Sequence, residues 1–318
     1  MSKTVLITDL VNELSVEKKI LKNHKLILSK PNKLGRKKIL EITGIITGHE
    51  IIYDKKLLSK FSNCEVIVRY GAGYNNIDIK FAKKKGIKVF NVPDYGSNEV
   101  ADVALAMSMA FVKDLNEKYF NIINKNKKKF WNYSSGFINR RLSYLKIGII
   151  GLGRIGQSFA KRAKNLGFKI FFYYSYLKKK IKNFKKLNSL SSVFKICDLI
   201  TLHVPLTEKT KFFITDDLIA KSKNKLILIN TARGGLIDEK ALIRMLKDGS
   251  IAAAGLDVFD REPLINPQLL KLENVVLLPH LGSSTKEGRI AMGERVILNA
   301  KNVVNGLPPP DKVKFDMP

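Results

Sequence analysis

The feature that most constrains the fold of this chain is a glycine-rich stretch at residues 145–157. A short apolar run at residues 147–150 is typical of a buried parallel strand, and residues 157–166 alternate apolar and polar side chains with helical spacing. Between them, residues 151–156 have the pattern glycine-x-glycine-x-x-glycine. A strand, this pattern and a helix in that order predict a dinucleotide-binding turn, although the pattern alone also occurs in structural glycine turns.

Each glycine of the pattern has its own physical role in such a site. Gly151 permits the tight turn after the strand, Gly153 lets backbone amides approach a pyrophosphate, and Gly156 lets the helix pack closely on the sheet. The first turn of the helix also presents unpaired N–H groups, which favour an anion. We therefore predict that a dinucleotide contacts the three glycines together with Arg154 and Ile155.

Length and cysteine content limit the class of protein. At 318 residues the chain exceeds the ~250–300 residues at which single cores stop growing, so two domains are expected. It has no apolar run of about 18 residues and no signal-peptide core near its start, so no membrane segment is expected. Cys64 and Cys197 are the only cysteines and lack the spacing of a metal site. We expect buried free thiols in a cytoplasmic protein without a metal.

The formal net charge of +29 raises the question of an anionic partner. Such a charge is compatible with nucleic acid, an anionic membrane or acidic substrates. The lysines are spread from Lys3 to Lys314 and do not form one tail, and the chain has no helix-turn-helix, zinc-finger or RNA-binding signature. We therefore attribute the charge to a compositional habit and do not expect nucleic acid to be a partner.

The first part of the chain predicts a parallel α/β domain over residues 1–97, because strand-like and helix-like segments alternate there. The predicted strands are residues 5–9, 25–29, 43–47, 65–70 and 88–92, and the predicted helices are residues 16–21, 54–61 and 79–85. After the fourth strand, Gly71, Ala72 and Gly73 form a loop that could present backbone amides to a carboxylate. An ordinary tight turn is the equal alternative for this loop.

The second part predicts another α/β domain, which contains the glycine pattern and follows a long apolar helix at residues 100–115. Its strand at residues 169–174 ends at Ser175, where an NAD-selective site would carry Asp or Glu to bind the ribose 2′-hydroxyl. Lysines follow at positions 178–180. We therefore hypothesise a preference for NADP(H), with Ser175 and Lys178 near the 2′-phosphate, and NAD(H) is the alternative.

Later predicted strands in this domain end in polar residues that suit hydride transfer to a carbonyl, and such strand ends lie side by side at the cofactor crevice. His280 can donate a proton near neutral pH. Arg233 can bind a carboxylate through its planar fork, and Glu262 can hold a protonated histidine. Singly, each has an ordinary structural explanation as a surface charge, a turn residue or a loop histidine. Together with Asp257, they favour catalysis.

A series of motifs occurs in order along the chain: GAGYNNID at residues 71–78, NVP at 91–93, GLGRIG at 151–156, LHVPL at 202–206, INTARG at 229–234, GLDVF at 255–259, EP at 262–263 and PH at 279–280. Together they resemble the D-isomer-specific 2-hydroxyacid dehydrogenases, and most closely their glyoxylate/hydroxypyruvate reductase branch. The resemblance covers nearly the whole chain.

The resemblance implies an α/β fold of two domains with the active site in the cleft between them. A Rossmann-type doubly wound parallel sheet at residues 98–286 would bind the dinucleotide. A flavodoxin-like domain at residues 1–97, with residues 287–318, would bind the substrate. The resemblance also implies a homodimer whose interface is built largely from the cofactor domain, including the long helix after residue 98.

The resemblance assigns roles to named residues. It implies that Arg233, Glu262 and His280 form the catalytic triad. It places the substrate carboxylate at Ala72 and Gly73, together with Arg233 and His280. Asp257 falls where the family holds the nicotinamide carboxamide. The implied cofactor contacts are Gly151, Gly153, Arg154, Ile155, Gly156, Ser175, Lys178, His203, Val204, Pro205, Thr231, Ala232, Asp257 and Gly282.

The activity implied by the resemblance is reduction of a small 2-oxo acid, such as glyoxylate or hydroxypyruvate, to the D-2-hydroxy acid by hydride from NAD(P)H. One alternative keeps the fold and triad in a D-3-phosphoglycerate dehydrogenase, where Arg69 could serve a phosphate. Another is a nucleotide-sensing binding protein like the C-terminal-binding corepressors, which share this fold. A complete triad argues against a purely binding role.

Overall fold

The computed structural model describes residues 3–8, 15–115, 141–173, 183–222 and 226–311. It divides into two compact units, Met1–Gly96 with Ser284–Pro318, and Ser97–Ser283. The domain boundaries expected from the sequence, after residues 97 and 286, lie within three residues of these divisions. We call the two parts unit 1 and unit 2.

Unit 1 is built on a sheet of five parallel strands in the order β2-β1-β3-β4-β5. The strands are β1 (Thr4–Ile7), β2 (Lys25–Leu28), β3 (Ile42–Thr47), β4 (Val66–Arg69) and β5 (Lys88–Phe90). Its helices are α1 (Ser15–Ile20), α2 (Arg36–Glu41), α3 (Lys55–Leu58), α4 (Ile79–Lys84) and the last helix of the chain, α10 (Lys286–Val304). The strand order reverses once, which is the flavodoxin-like arrangement.

Successive apolar side chains on the strands of unit 1 point to opposite faces of the sheet, which explains why helices cover both faces. Val5 and Ile7 of β1 pack into one cluster, which α10 covers with Val296 and Ile297. Leu6, between them, faces the other side and belongs to the cluster that α2, α3 and α4 cover. Parallel strands that are apolar on both faces need such double cover.

Unit 2 is built on a sheet of seven parallel strands in the order β12-β11-β10-β9-β6-β7-β8. The strands are β6 (Lys146–Ile150), β7 (Lys169–Tyr173), β8 (Lys185–Lys186), β9 (Leu199–Leu202), β10 (Leu226–Asn230), β11 (Ile251–Leu256) and β12 (Val275–Leu277). Its helices include α5 (Ser97–Val112), α6 (Arg154–Asn165), α7 (Leu190–Ile196), α8 (Asp216–Ile219) and α9 (Glu239–Lys247). The order reverses between β6 and β9, and ligands of such sheets bind where that reversal occurs. The predicted Rossmann-type fold is confirmed.

Close packing in unit 2 explains a glycine inside a strand. A Cβ atom on Gly148 of β6 would lie 2.5 Å from Val193 and 2.9 Å from the thiol of Cys197, so α7 rests directly on the strand. Neither cysteine of the chain forms a disulfide and both thiols are buried, as predicted. Burial raises the pKa of Cys64 to about 12, which keeps that thiol protonated and unreactive.

The structure corrects several element bounds and adds short helices. The helix after the glycine pattern begins at Arg154, three residues before the predicted start at Gln157, because the glycines lie within its first turn. The long helix predicted for residues 100–115 spans Ser97–Val112. The sequence did not predict α2, α7, α8 or α9. None of the described helices is long and apolar enough to cross a membrane.

Candidate active site

The glycine turn connects β6 to α6 at the reversal of the unit 2 sheet. Gly151 has φ +97°, and a Cβ atom there would lie 2.5 Å from the backbone oxygen of His203, which follows β9. A Cβ atom on Gly156 would lie 2.1 Å from the carbonyl oxygen of Gly151. The turn is therefore too tight for a side chain at either position, and α6 packs closely against it, as the sequence predicted.

Gly153 differs from these two glycines because nothing crowds it. It has an extended backbone, with φ −72° and ψ −162°, and caps the twelve-residue helix α6. A Cβ atom on Gly153 would meet no heavy atom within 4 Å. Arg154 is exposed beside it. Open space in front of a helix N-terminus, at the reversal of a parallel sheet, suits an anionic group such as a pyrophosphate.

The predicted contact residues His203, Val204 and Pro205 follow β9, and His203 and Val204 lie against the same turn. A side-chain atom of Val204 is 2.7 Å from where a Cβ atom of Gly151 would be. The His203 ring contacts Thr201 Oγ1 through Nε2 at 3.0 Å, and burial lowers the pKa of His203 to about 3. The ring is therefore neutral at physiological pH and serves packing and hydrogen bonding rather than proton transfer.

The loop after β10 is held by a residue that sequence reasoning missed. Asn230 is buried at the end of the strand, its Nδ2 donates to the carbonyl of Arg233 at 2.8 Å, and its Oδ1 accepts from the amide of Ala232 at 3.0 Å. Its signal in the sequence is a polar residue that closes an apolar strand. The Oγ1 of Thr231 is buried, and among the described residues it has no hydrogen-bond partner. This loop is thus fixed in shape and has an unsatisfied polar atom that a bound ligand can satisfy.

Glu262 and His280 form a close pair, as their predicted roles require. His280 Nδ1 lies 2.7 Å from Glu262 Oε2, and the amide of Phe259 donates to Glu262 Oε1 at 3.0 Å. Burial opposes ionisation of Glu262, but the bond to His280, the charges of His280 and Arg233, and the Phe259 amide outweigh it and lower the pKa of Glu262. The carboxylate stays charged near neutral pH and fixes the orientation of the imidazole.

The backbone that carries His280 is held by Asp257. His280 has φ +55°, a left-handed conformation that is uncommon for a residue with a side chain. The carboxylate of Asp257 accepts from the amides of Leu281 and Gly282, at 2.7 and 2.8 Å. Asp257 is buried, and burial raises its pKa although these two amides act in the opposite direction. We did not predict this contact, which accounts for both the strained backbone and the absence of a side chain at Gly282.

The candidate substrate loop lies in unit 1, after β4. Gly71 has φ +96°, and its carbonyl accepts from the amide of Val92 at 3.1 Å. The side-chain Nδ2 of Asn91 donates to the carbonyl of Ala72 at 2.6 Å. Ala72 is exposed and Gly73 is half-buried. Asn91, which sequence reasoning passed over within its NVP motif, therefore sets the shape of this loop, and the predicted carboxylate contact stays a prediction.

Ser175 and Lys178, the residues predicted to select the cofactor, lie outside the described residues. The strand before them, β7, is described as far as Tyr173 and pairs with β6, the strand that enters the glycine turn. The edge strand β8 pairs with β7 and consists of two exposed lysines, Lys185 and Lys186.

A family model and the sequences of known proteins assign the chain to the same family. The model of the D-isomer specific 2-hydroxyacid dehydrogenase NAD binding domain matches residues 105–282. A glyoxylate reductase of Thermococcus litoralis is 39% identical over 285 residues, which are 88% of this chain and 86% of the relative. Arg233, Glu262 and His280, which the sequence predicts to be a catalytic triad, all lie inside the matched region.

Solved structures are similar over nearly the whole chain. A D-lactate dehydrogenase from Aquifex aeolicus, complexed with NAD and lactic acid, has a TM-score of 0.86 at 28% identity and covers 95% of this chain and 96% of its own. An NADPH-dependent glyoxylate/hydroxypyruvate reductase from Sinorhizobium meliloti, in complex with NADP and malonate, has a TM-score of 0.85 at 27% identity. The match covers 99% of this chain and 97% of the reductase.

Proposed function

Because the chain belongs to the D-isomer-specific 2-hydroxyacid dehydrogenases, we propose that it reduces a small 2-oxo acid, such as glyoxylate or hydroxypyruvate, with hydride from NAD(P)H. The protein is an oxidoreductase that acts on CH–OH groups and uses a nicotinamide dinucleotide. The observation that carries the proposal is the His280–Glu262 pair at 2.7 Å, in the same unit as the glycine turn. Hydroxypyruvate would yield the D-hydroxy acid.

The residues of unit 2 fit a dinucleotide. The unobstructed Gly153 at the N-terminus of α6 suits the pyrophosphate, and the buried Oγ1 of Thr231 offers a hydrogen bond with no partner among the described residues. When bound, the cofactor supplies the hydride that passes to C2 of the oxo acid. We assign the pyrophosphate to the amides of residues 153–156, with Val204 and Pro205 beside the turn.

His280 acts in this proposal as the proton donor to the carbonyl oxygen. Its Nδ1 is engaged by Glu262, so the transferred proton leaves from Nε2. The negative charge of Glu262 favours the protonated ring before transfer, and the Asp257 clamp on the following amides holds the ring in place. Glu262 thus sets the charge and orientation of the His280 ring, and Asp257 sets its backbone conformation.

Arg233 binds the substrate carboxylate and polarises the carbonyl in this proposal. Its Nη1 donates to the carbonyl of Ala232 at 2.6 Å, a contact that directs the guanidinium along a loop already fixed by Asn230. A planar guanidinium can donate to a carboxylate through a second edge at the same time. The amides of Ala72 and Gly73 are proposed as further donors to that carboxylate.

The substrate test compares initial rates with glyoxylate, hydroxypyruvate and 3-phosphohydroxypyruvate, each with NADPH and NADH. We expect turnover of the first two and loss of most of kcat in His280→Ala, with His24→Ala as a matched control outside unit 2. Faster turnover of the phosphorylated acid would favour the D-3-phosphoglycerate dehydrogenase alternative, in which Arg69 binds the phosphate. Similarity to a glyoxylate reductase over 86% of that relative makes this outcome the less expected one.

We propose NADP(H) as the preferred cofactor, because Ser175 replaces the carboxylate that would repel a 2′-phosphate and Lys178 adds a nearby cation. The similar solved structures contain NADP in one case and NAD in another, so the preference is open to direct measurement. We expect Ser175→Asp to lower kcat/KM for NADPH and raise it for NADH, and Lys164→Gln to change neither. A strong NADH preference in the unsubstituted enzyme would refute the assignment.

A homodimer is the proposed assembly, and helix α5 supplies the argument. Ala104, Met107 and Phe111 are buried in the core of unit 2, and Val103 and Met109, which pack against that core, keep part of their apolar surface exposed. Apolar surface left exposed on a long helix can be covered by a second copy of the chain. Light scattering after gel filtration should give twice the mass of 35.9 kDa, and a concentration-independent monomer would contradict the assignment. The cytoplasmic location stays an expectation.

A further inference from the structure

Among the described residues, positive charge is dense on one helical layer of unit 1. We call this layer the basic layer and define it as residues 36–41, 54–60 and 78–85, which comprise α2, α3 and α4 with their caps. It contains ten lysine or arginine side chains against three carboxylates, a formal net charge of +7 in 21 residues. The layer on the opposite face, α1 with α10, has six cations against three carboxylates in 25 residues. The cations of the basic layer therefore lie on one face of unit 1, although they come from three separate segments of the sequence.

The three helices present these cations on one side because they cover the same face of the sheet. Ile39 of α2, Leu58 of α3 and Ala82 of α4 are buried in a single cluster beneath the layer. With their apolar sides fixed inward, the charged sides face solvent. All ten cations are exposed.

Neighbouring helices bring their lysines close together. Lys80, Lys83 and Lys84 lie one turn apart or less on α4, and Lys85 follows. The Nζ of Lys85 donates to the carbonyls at the end of α3, and the Nζ of Lys55 lies 6.0 Å from the centre of the Phe81 ring of α4. The lysines of α3 and α4 therefore form one continuous surface.

The three carboxylates within the layer do little to neutralise it. Asp54 accepts from the amide of Leu57, and Asp78 accepts from the amide of Phe81, so both serve as helix caps. Glu41 forms an ion pair with Lys25 of β2, outside the layer. Ten mutually repelling cations held by the fold create a strong positive potential that a polyanion would relieve.

We propose that the basic layer binds the phosphate backbone of double-stranded nucleic acid without sequence specificity. Lysine ammonium groups suffice for phosphate contacts and for counterion release. Within these three described segments no aromatic ring is exposed, since Phe81 is half-buried, and single strands bind chiefly by stacking on such rings. Leu40 is the one large apolar side chain exposed there, which is too little for anchorage in a lipid surface. The proposal is independent of the reductase assignment.

The test measures binding of a DNA duplex of about 20 base pairs by fluorescence anisotropy, in salt from about 0.05 to 0.2 M. The substituted protein carries Lys80→Gln, Lys83→Gln and Lys84→Gln. The matched control carries Lys164→Gln, Lys195→Gln and Lys221→Gln, three exposed lysines of unit 2 with the same loss of charge. The first protein should show a salt slope shallower by about 3 and an affinity weaker by on the order of 100-fold at 0.1 M salt, and the control should change little.

Three outcomes would overturn the proposal. Equal weakening in both proteins would mean that overall charge, and not the basic layer, binds the duplex. No binding by the unsubstituted protein at the lowest salt would exclude the site. Tighter binding to vesicles of equal parts phosphatidylglycerol and phosphatidylcholine than to duplex would assign the layer to a membrane surface. Unchanged unfolding temperatures would show that the substituted proteins are folded.

Discussion

Replacement of Gly153 by alanine should separate cofactor binding from stability. The backbone of Gly153, at φ −72° and ψ −162°, lies in a region that alanine adopts freely, and a Cβ atom there meets no heavy atom within 4 Å. The folded protein should therefore tolerate the methyl group. The same methyl group would occupy the space in which we place the pyrophosphate. The substitution should therefore weaken dinucleotide binding without destabilising the folded protein.

The magnitudes follow from these contacts. A Gly→Ala change at a compatible conformation stabilises a protein by about 0.4–1 kcal/mol, because the unfolded chain loses freedom. Loss of one charge-assisted hydrogen bond between an amide and a phosphate costs about 1.5–3 kcal/mol, which weakens the dinucleotide Kd by about 10- to 100-fold. Gly153→Ala should thus raise the free energy of unfolding slightly and weaken binding strongly.

Two other glycines serve as matched controls. Gly156→Ala brings its Cβ atom to 2.1 Å from a carbonyl oxygen, so it should lower both stability, by about 1–3 kcal/mol, and cofactor affinity. Gly167 has φ +98° with nothing within 4 Å, so Gly167→Ala should cost about 1–2 kcal/mol of stability and leave affinity unchanged. Urea denaturation and dinucleotide fluorescence titration measure both quantities. An unchanged dinucleotide Kd in Gly153→Ala would refute the placement of the pyrophosphate.

Three further predictions concern the catalytic loop and its surroundings. Asp257→Asn turns one acceptor oxygen into a donor that faces a backbone amide, which releases the backbone that holds His280. We expect kcat to fall about 10- to 100-fold, and an unchanged kcat would show that Asp257 does not position His280. Glu262→Gln replaces the carboxylate that accepts from His280 Nδ1 by an amide, so the imidazole loses the bond that orients it and kcat should fall about 10- to 100-fold; an unchanged kcat would contradict that role. His203 is neutral in the folded protein, and below its ordinary pKa of 6.5 it takes up a proton on unfolding. The free energy of unfolding is therefore complete above pH 6.5 and is lower by about 2 kcal/mol at pH 5. In urea titrations, His203→Gln should abolish this decrease.

Much of the fold was predictable because parallel sheets leave a clear pattern. Short runs that are apolar on both faces, such as residues 147–150, are typical of strands covered on two sides, and the glycine pattern places a helix directly after this run. The short helices were not predictable in the same way. Helix α8 has four residues, follows a threonine cap at Thr215 and buries only Ile219. So short a segment has no periodicity to detect.

The candidate site was predictable to the level of residue types but not of contacts. Glu262 and His280 are 18 positions apart, and only the fold brings their side chains to 2.7 Å. Asn230 and Asn91 were missed because each acts on a backbone carbonyl or amide nearby, and a sequence does not show where a backbone turns. The clamp by Asp257 depends on the left-handed conformation of His280, which no pattern of residue types reveals.

The contacts that hold the acid in place have a consequence for how such an enzyme can diversify. Asp257, Glu262 and His280 take their described partners from unit 2 itself, from Phe259 to Gly282. The candidate carboxylate loop at Gly71–Gly73 takes its shape from Asn91 and Val92, which follow β5 in the other unit. In the proposed mechanism, mutations that reshape the loop change which acids are accepted and leave the contacts that hold the proton donor unchanged. A lineage could then exchange one substrate for another without passing through an inactive ancestor.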